Sequence, residues 1–226
     1  MRAPRGPRFD TVVLDIDGTL IDSVYAHVWS WREAFRVVGV HVPTWQVHRA
    51  IGMGSDRLVG EVTSEAVEAS VGEHVRKVQS DLYQDLSAQL TPTPGATALL
   101  EQLKTRGLQV VLATSGSRDE AEKAVATLEA RRWIDGLVTG DDTAATKPDT
   151  EPIRRAVDSV HGRAGLVVGD ATWDMEAARR TGYAAVGVLT GGIAESELRT
   201  AGAAEVHRDP AALLSALDGL LLGADL

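Results

Sequence analysis

Residues 9–23 read FDTVVLDIDGTLIDS, and the fold turns on them. Residues 11–14 form an apolar, β-branched run of the kind that makes a strand buried on both faces. Asp15 and Asp17 follow directly, then Gly18 and Thr19. Residues two apart in extended backbone point the same way. Both carboxylates can therefore reach one place at the strand's carboxyl end, where open α/β sheets bind ligands. Two acids so placed repel each other unless a cation holds them. Taken alone, Asp17-Gly18 also fits a strand-ending turn; the rest of the chain decides between the two readings.

Further apolar runs occur at residues 108–115 (LQVVLATS), 165–170 (GLVVGD) and 184–188 (AAVGV). Between them lie GATALLEQLKTRG, SRDEAEKAVATLEA, EPIRRAVDSVHG and DMEAARRTG, rich in helix formers and closed by glycine or polar breaks. Strands alternating with helices predict an α/β fold, a Rossmann-like parallel-sheet core with helices on both faces. Residues 22–92 break the rhythm. They hold four amphipathic stretches, VYAHVWSWREAFRVVG, TWQVHRAI, SDRLVGEVTSEAV and GEHVRKVQSDLYQDLSAQL, without a convincing strand. We read them as an all-helical cap domain inserted after the first strand. Residues 9–21 and 93–226 then form the core, and residues 1–8 a short frayed tail. Glycines 52, 54 and 72 permit local bends in the cap.

A chain of 226 residues, 44% of them hydrophobic, can bury a substantial core without staples. It has no cysteine, which excludes disulfides, a thiol nucleophile and cysteine-ligated metals. That fits a reducing cytoplasm, the expected location. The apolar run after the basic start is interrupted at Asp15, too soon for a signal peptide or a membrane span, so no membrane partner is expected. A net charge of -9 without a dense basic stripe argues against a nucleic-acid partner. A small anion in a locally positive cleft remains compatible with it. The five tryptophans are read as packing residues, with Trp173 either packing a helix or bordering the metal site.

Three later motifs bear on the same strand ends. VGDATWD places Asp170 after a strand, as a metal ligand or a helix cap, and Asp174 about one helical turn on, to cap the helix or hold a metal-bound water. Oxygen ligands without cysteine suit Mg²⁺ better than zinc. VVLATSG ends a strand with the hydroxyls of Thr114 and Ser115, which either cap a helix or cradle phosphate oxygens together with backbone N–H groups. In TKPD, the Lys147 ammonium either neutralises a phosphate or a carboxylate cluster, or is solvated.

In this order, DIDGT, Thr114, Lys147 and GDATWD resemble the haloacid dehalogenase superfamily, with residues 22–92 similar to its helical C1-type cap. The resemblance runs from Phe9 to about Leu221 and is to the phosphoglycolate phosphatase and beta-phosphoglucomutase branch. It implies Asp15 as nucleophile, Asp17 as general acid and base, Thr114 as a phosphate-binding hydroxyl and Lys147 as the charge-stabilising lysine. Mg²⁺ would be held by Asp15, the Asp17 backbone carbonyl and Asp170, with Asp174 assisting. Gly18, Thr114, Ser115 and Lys147 become the candidate phosphate-binding residues. An acid at position 17 favours phosphate-ester hydrolysis or phosphoryl transfer over dehalogenation or phosphonate cleavage. The expected activity is magnesium-dependent hydrolysis of a small organic phosphate through an aspartyl-phosphate. The alternatives are a sugar-phosphate mutase and a non-enzymatic phosphate-binding protein. The mutase resemblance expects a cap lysine where Gln79 stands, with Lys77 displaced by two positions. Alanine at position 171 replaces the hydroxyl residue common in similar proteins. His27, with Arg32, Arg49 and Arg57, supplies candidates for substrate specificity.

Overall fold

The computed structural model describes residues 9–222; the proposed tail, residues 1–8, and residues 223–226 lie outside them. At its centre is β1 (Thr11–Leu14), flanked by β2 (Gln109–Ala113) and β4 (Gly165–Gly169). The outer strands are β3 (Gly136–Val138), β5 (Ala184–Val188) and β6 (Glu205–His207). The six strands are all parallel, in the order β3-β2-β1-β4-β5-β6. The order reverses at β1, and such a switch point opens a crevice at the carboxyl ends of the strands. Leu14 pairs with Leu112 and Val168. Asp15, Thr114 and Asp170 therefore all leave the sheet at its carboxyl edge.

The period of two in β1 decides which helices cover which face. Val12 and Leu14 pack with α5 (Ala96–Thr105), α6 (Arg118–Thr127) and α10 (Pro210–Leu222), through Leu99, Val125 and Leu217 among others. Val13 points the other way, against α7 (Glu151–Ser159), α8 (Thr172–Thr181) and α9 (Glu195–Ala201), where Ile153, Met175 and Leu198 lie. Full burial of each such side chain contributes about 1.5–3 kcal/mol.

A third core belongs to α1 (Val24–Val37), α2 (Thr44–Ala50), α3 (Ser55–Val62) and α4 (Glu65–Ser87), built on Val28, Trp31, Phe35, Leu58 and Val75. The chain enters and leaves this helical unit side by side: Asp22 donates its N–H to the Thr91 carbonyl at 3.0 Å, and Thr93 to that of Leu20 at 2.9 Å. No helix among the described residues is long and apolar enough to cross a membrane.

Three elements differ from the sequence expectation. Strands β3 and β6 span three residues each and are mostly half-buried, so no apolar run announces them. Helix α4 starts at Glu65 because Ser64 caps it, accepting from the Val67 N–H at 3.3 Å. Gly72 lies inside that helix and marks no bend. A Cβ there would overlap the Glu68 carboxylate, which pairs with Arg76.

Asp10 ties the base of β1 to that of β4, accepting from the N–H groups of Arg163 and Ala164 at 2.9–3.0 Å. Burial pushes its carboxyl up, and the Ala164 and Arg163 N–H groups with the Thr11 hydroxyl outweigh that and hold it below its ordinary value. Its stabilising contribution is thus present above the ordinary value of 3.8 and lost as pH falls through the lower native value. Asp10→Asn is expected to cost roughly 1–2 kcal/mol near neutral pH and less below about pH 3, by urea unfolding of both proteins. An equal loss at both pH values would show that the charge is not what matters.

Candidate active site

Asp15 continues β1, and its N–H bonds the Val168 carbonyl at 2.9 Å. Its side chain points into the sheet's carboxyl edge and is 5% exposed. Lys147, in the loop before α7, is buried to 1%. Its ammonium pairs with Asp15, lies 2.7 Å from Asp174 Oδ1 and donates to the Ala113 carbonyl at 2.8 Å. Asp170 follows β4 and accepts from the Thr19 hydroxyl at 2.6 Å. Asp174 sits in the first turn of α8, where its Oδ2 accepts from the Ala171 N–H at 3.1 Å. With alanine at the N-cap there is no hydroxyl to complete a reciprocal box.

Oxygens of Asp15, Asp170 and Asp174 lie within 4.8 Å of one another, and all three residues are buried. They share one ammonium, which leaves two negative charges uncompensated in a poorly solvated place. Burial pushes the Asp15 carboxyl up, and the Asp174 and Asp17 carboxylates, set against Lys147, keep it at about 7. Burial raises Asp170 well above its ordinary value, and Asp15 and Asp174 add to the effect. Burial draws the Lys147 ammonium down, but Asp15 and Asp174 more than reverse this.

This donor set fits a hard divalent cation. The ligand atoms are carboxylate oxygens, the missing charge is two, and the buried Asp174 Oδ1 has no hydrogen bond of proper geometry despite its ion pair with Lys147. Gly18 and Gly191 close around the cluster, since a Cβ on either would overlap the Asp170 carboxylate.

Asp17 lies apart from this cluster. Its Oδ1 receives the Ser23 hydroxyl at 2.7 Å and lies 3.1 Å from His27 Nε2; its Oδ2 receives the Thr114 hydroxyl at 3.3 Å. Burial pushes its carboxyl up, and the charge and hydrogen bond of His27, with the Ser23 hydroxyl, overcome that and hold it at about 2. Burial lowers the His27 pKa, and Asp17 raises it above its ordinary value. The repulsion implicit in the DID spacing is eased by different partners, Lys147, shared with Asp174, for Asp15 and His27 for Asp17. The His27 ring also stacks on Tyr83 from α4, with centroids 3.9 Å apart.

The backbone N–H groups of Ile16, Asp17 and Ser115 have no acceptor among the described residues, and unpaired N–H groups in the loops at the strand ends suit an oxyanion. Thr114 accepts the Gly116 N–H at 3.0 Å while donating to Asp17. Ser115 donates to the Gly52 carbonyl of the cap at 3.2 Å. The Gly18 N–H is taken by the Ile21 carbonyl at 2.8 Å; with φ of +80°, its role here is to let Asp170 approach.

The arginine candidates lie elsewhere. Arg49 forms an ion pair with Glu197 of α9, Arg57 is exposed, and Arg32 pairs with Glu33 at 3.5 Å. The segment around Arg49 is instead a clamp between cap and core. His48 Nε2 lies 2.9 Å from the Gly191 carbonyl, Trp173 Nε1 donates to the Arg49 carbonyl at 3.1 Å, and Thr146 donates to Asp56 at 2.6 Å. Sequence reasoning assigned no role to Thr19, Ser23 or Thr146. Each is a hydroxyl within six residues of a DID or KPD landmark, and that proximity was the available signal.

The family of haloacid dehalogenase-like hydrolases matches residues 12–188 of this chain. The validoxylamine A 7'-phosphate phosphatase of Streptomyces hygroscopicus is 31% identical over 80% of this chain and 86% of its own length. A plasmid-encoded phosphoglycolate phosphatase of Cupriavidus necator is 31% identical over 76% and 77%. The crystal structure of a hydrolase from Pseudomonas syringae superposes with a TM-score of 0.88 at 36% identity, covering 93% of this chain and 98% of that one.

Proposed function

This chain belongs to the haloacid dehalogenase-like hydrolases and is a phosphatase of that family, and we propose that it hydrolyses a small organic phosphomonoester through an aspartyl-phosphate on Asp15, with Mg²⁺. What carries the reading is the asymmetry of the two acids. Asp15 faces a carboxylate cluster with one ammonium, while Asp17 faces His27, Ser23 and Thr114.

Asp15, Asp170 and Asp174 would hold the ion directly or through water, together with the Asp17 carbonyl. When bound, the ion supplies the positive charge that keeps Asp15 ionised and offsets that of the phosphate. Lys147 adds a fixed charge beside Asp15, and the free N–H groups of Ile16, Asp17 and Ser115 are available to phosphate oxygens. A bond then forms from an Asp15 carboxylate oxygen to phosphorus as the bond to the leaving oxygen breaks. The proton for that oxygen rests on His27 before reaction. A phosphate dianion beside Asp17 raises the affinity of its carboxylate for that proton, so Asp17 delivers what His27 supplies. In the second half, Asp17 takes a proton from water as the water oxygen attacks phosphorus, freeing phosphate and the Asp15 carboxylate.

Protein stripped with EDTA is expected to release no phosphate from p-nitrophenyl phosphate and to regain turnover when Mg²⁺ is added. Equal rates in EDTA and in Mg²⁺ would count against the metal's role. A mutase has less in its favour: Gln79 occupies the place of the expected lysine, and Lys77 is exposed and paired with Asp81 at 3.3 Å.

A further inference from the structure

Between the catalytic loops and the cap lies a cavity of about 340 Å³, within the roughly 300–1,000 Å³ typical of pockets that enclose whole small-molecule ligands. The cations on its cap side are already paired. Arg76 is held by Glu68 at 2.8 Å and by the Ser55 carbonyl at 3.3 Å, and Lys77 by Asp81. Glu120 lines the opposite wall. An additional carboxylate or phosphate on the substrate would therefore meet Glu120 and compete with Glu68 and Asp81 for these cations.

What the wall offers instead is neutral. Ser30 donates its hydroxyl proton to the His27 carbonyl at 3.0 Å, so it must accept from Gln79 Nε2 at 3.1 Å. This fixes the sense of the Gln79 amide. Gln79 is 6% exposed and lines the cavity, and its Oε1 has no donor among the described residues. A fixed, unfilled acceptor recognises a hydroxyl and repels an anion. Ser80 adds a hydroxyl one residue on, and Trp31 and Met53 supply apolar surface for C–H groups.

We infer that the leaving alcohol of the substrate is uncharged and polyhydroxylated, of sugar or cyclitol type, and that Gln79 accepts a hydrogen bond from one of its hydroxyls. This rests on the phosphatase reading above. It disfavours a carboxylated alcohol such as that of phosphoglycolate.

The test measures kcat/KM with Mg²⁺ for glucose 6-phosphate, myo-inositol 1-phosphate, phosphoglycolate and p-nitrophenyl phosphate. At least one polyol phosphate is expected to exceed phosphoglycolate tenfold or more. In Gln79→Leu the polyol-to-aryl ratio should fall about tenfold or more, mainly through KM, and in Gln79→Lys phosphoglycolate should gain on the polyols. Phosphoglycolate matching or exceeding both polyols in the wild type would overturn the inference. So would Gln79→Leu slowing every substrate in proportion with KM unmoved, which marks a structural residue. Hydrolysis of none of the four by the wild type would instead remove the phosphatase reading, and this inference with it.

Discussion

Asp15→Asn is expected to abolish turnover, with kcat for p-nitrophenyl phosphate reduced roughly ten-thousand-fold or more. An amide is too weak a nucleophile to attack a phosphomonoester, and the substitution also removes one carboxylate from the cation-binding cluster. The protein should nonetheless fold. Asp15 is one of three buried acids sharing Lys147, so a neutral side chain there lessens their mutual repulsion in the metal-free state. Its midpoint of unfolding in EDTA should equal or exceed that of the wild type. Asp17→Asn gives a useful contrast: it leaves the nucleophile in place and removes proton transfer, a loss of roughly 10²–10⁴. It should still accumulate phosphoryl group on the Asp15 peptide after acid quench of a reaction with a good leaving group, whereas Asp15→Asn should carry none. Wild-type turnover by a correctly folded Asp15→Asn protein, verified free of reversion to aspartate by mass spectrometry, would eliminate the covalent route.

The parts of this site readable from the chain were those that lie next to one another in sequence or at a strand end. Val12–Leu14 is apolar throughout because β1 is covered on both faces, and Asp15 inherits its position from the strand register. What could not be read was the pairing of charges across the fold. Arg49 looked available for an anion, yet Glu197, 148 positions later, takes its charge. His27, a specificity candidate, lines the cavity and also sits 3.1 Å from Asp17 Oδ1. The edge strands β3 and β6 escaped for a different reason. Gly136, Leu137, Glu205, Val206 and His207 are all half-buried, so selection for an apolar run is weak there. Gly72 misled because a helix interior normally excludes glycine; here Glu68 occupies the space that a side chain would fill.

Lys147→Met should produce the largest loss of stability and, with it, of activity. It keeps the length of the apolar stem but leaves Asp15, Asp170 and Asp174 facing one another with no cation from the protein. Removing one member of a buried ion pair costs about 3–5 kcal/mol. The cost must depend on pH, because the ammonium matters only while its partners are ionised. Asp15 titrates at about 7 in the native protein against an ordinary 3.8, and Asp170 is also raised. Between these values the native state binds more protons than the unfolded chain, so stability in EDTA is greatest below the ordinary value and declines as pH rises through the native one. Methionine at position 147 raises both native values further and steepens that decline. Urea unfolding in EDTA should therefore show a smaller difference between variant and wild type near pH 5 than near pH 8. Mg²⁺ should recover part of it at about pH 8, since a divalent ion supplies charge to the same three carboxylates. A deficit independent of both pH and Mg²⁺ would mean that Lys147 stabilises the protein by filling space, and the electrostatic account of the cluster would then fail.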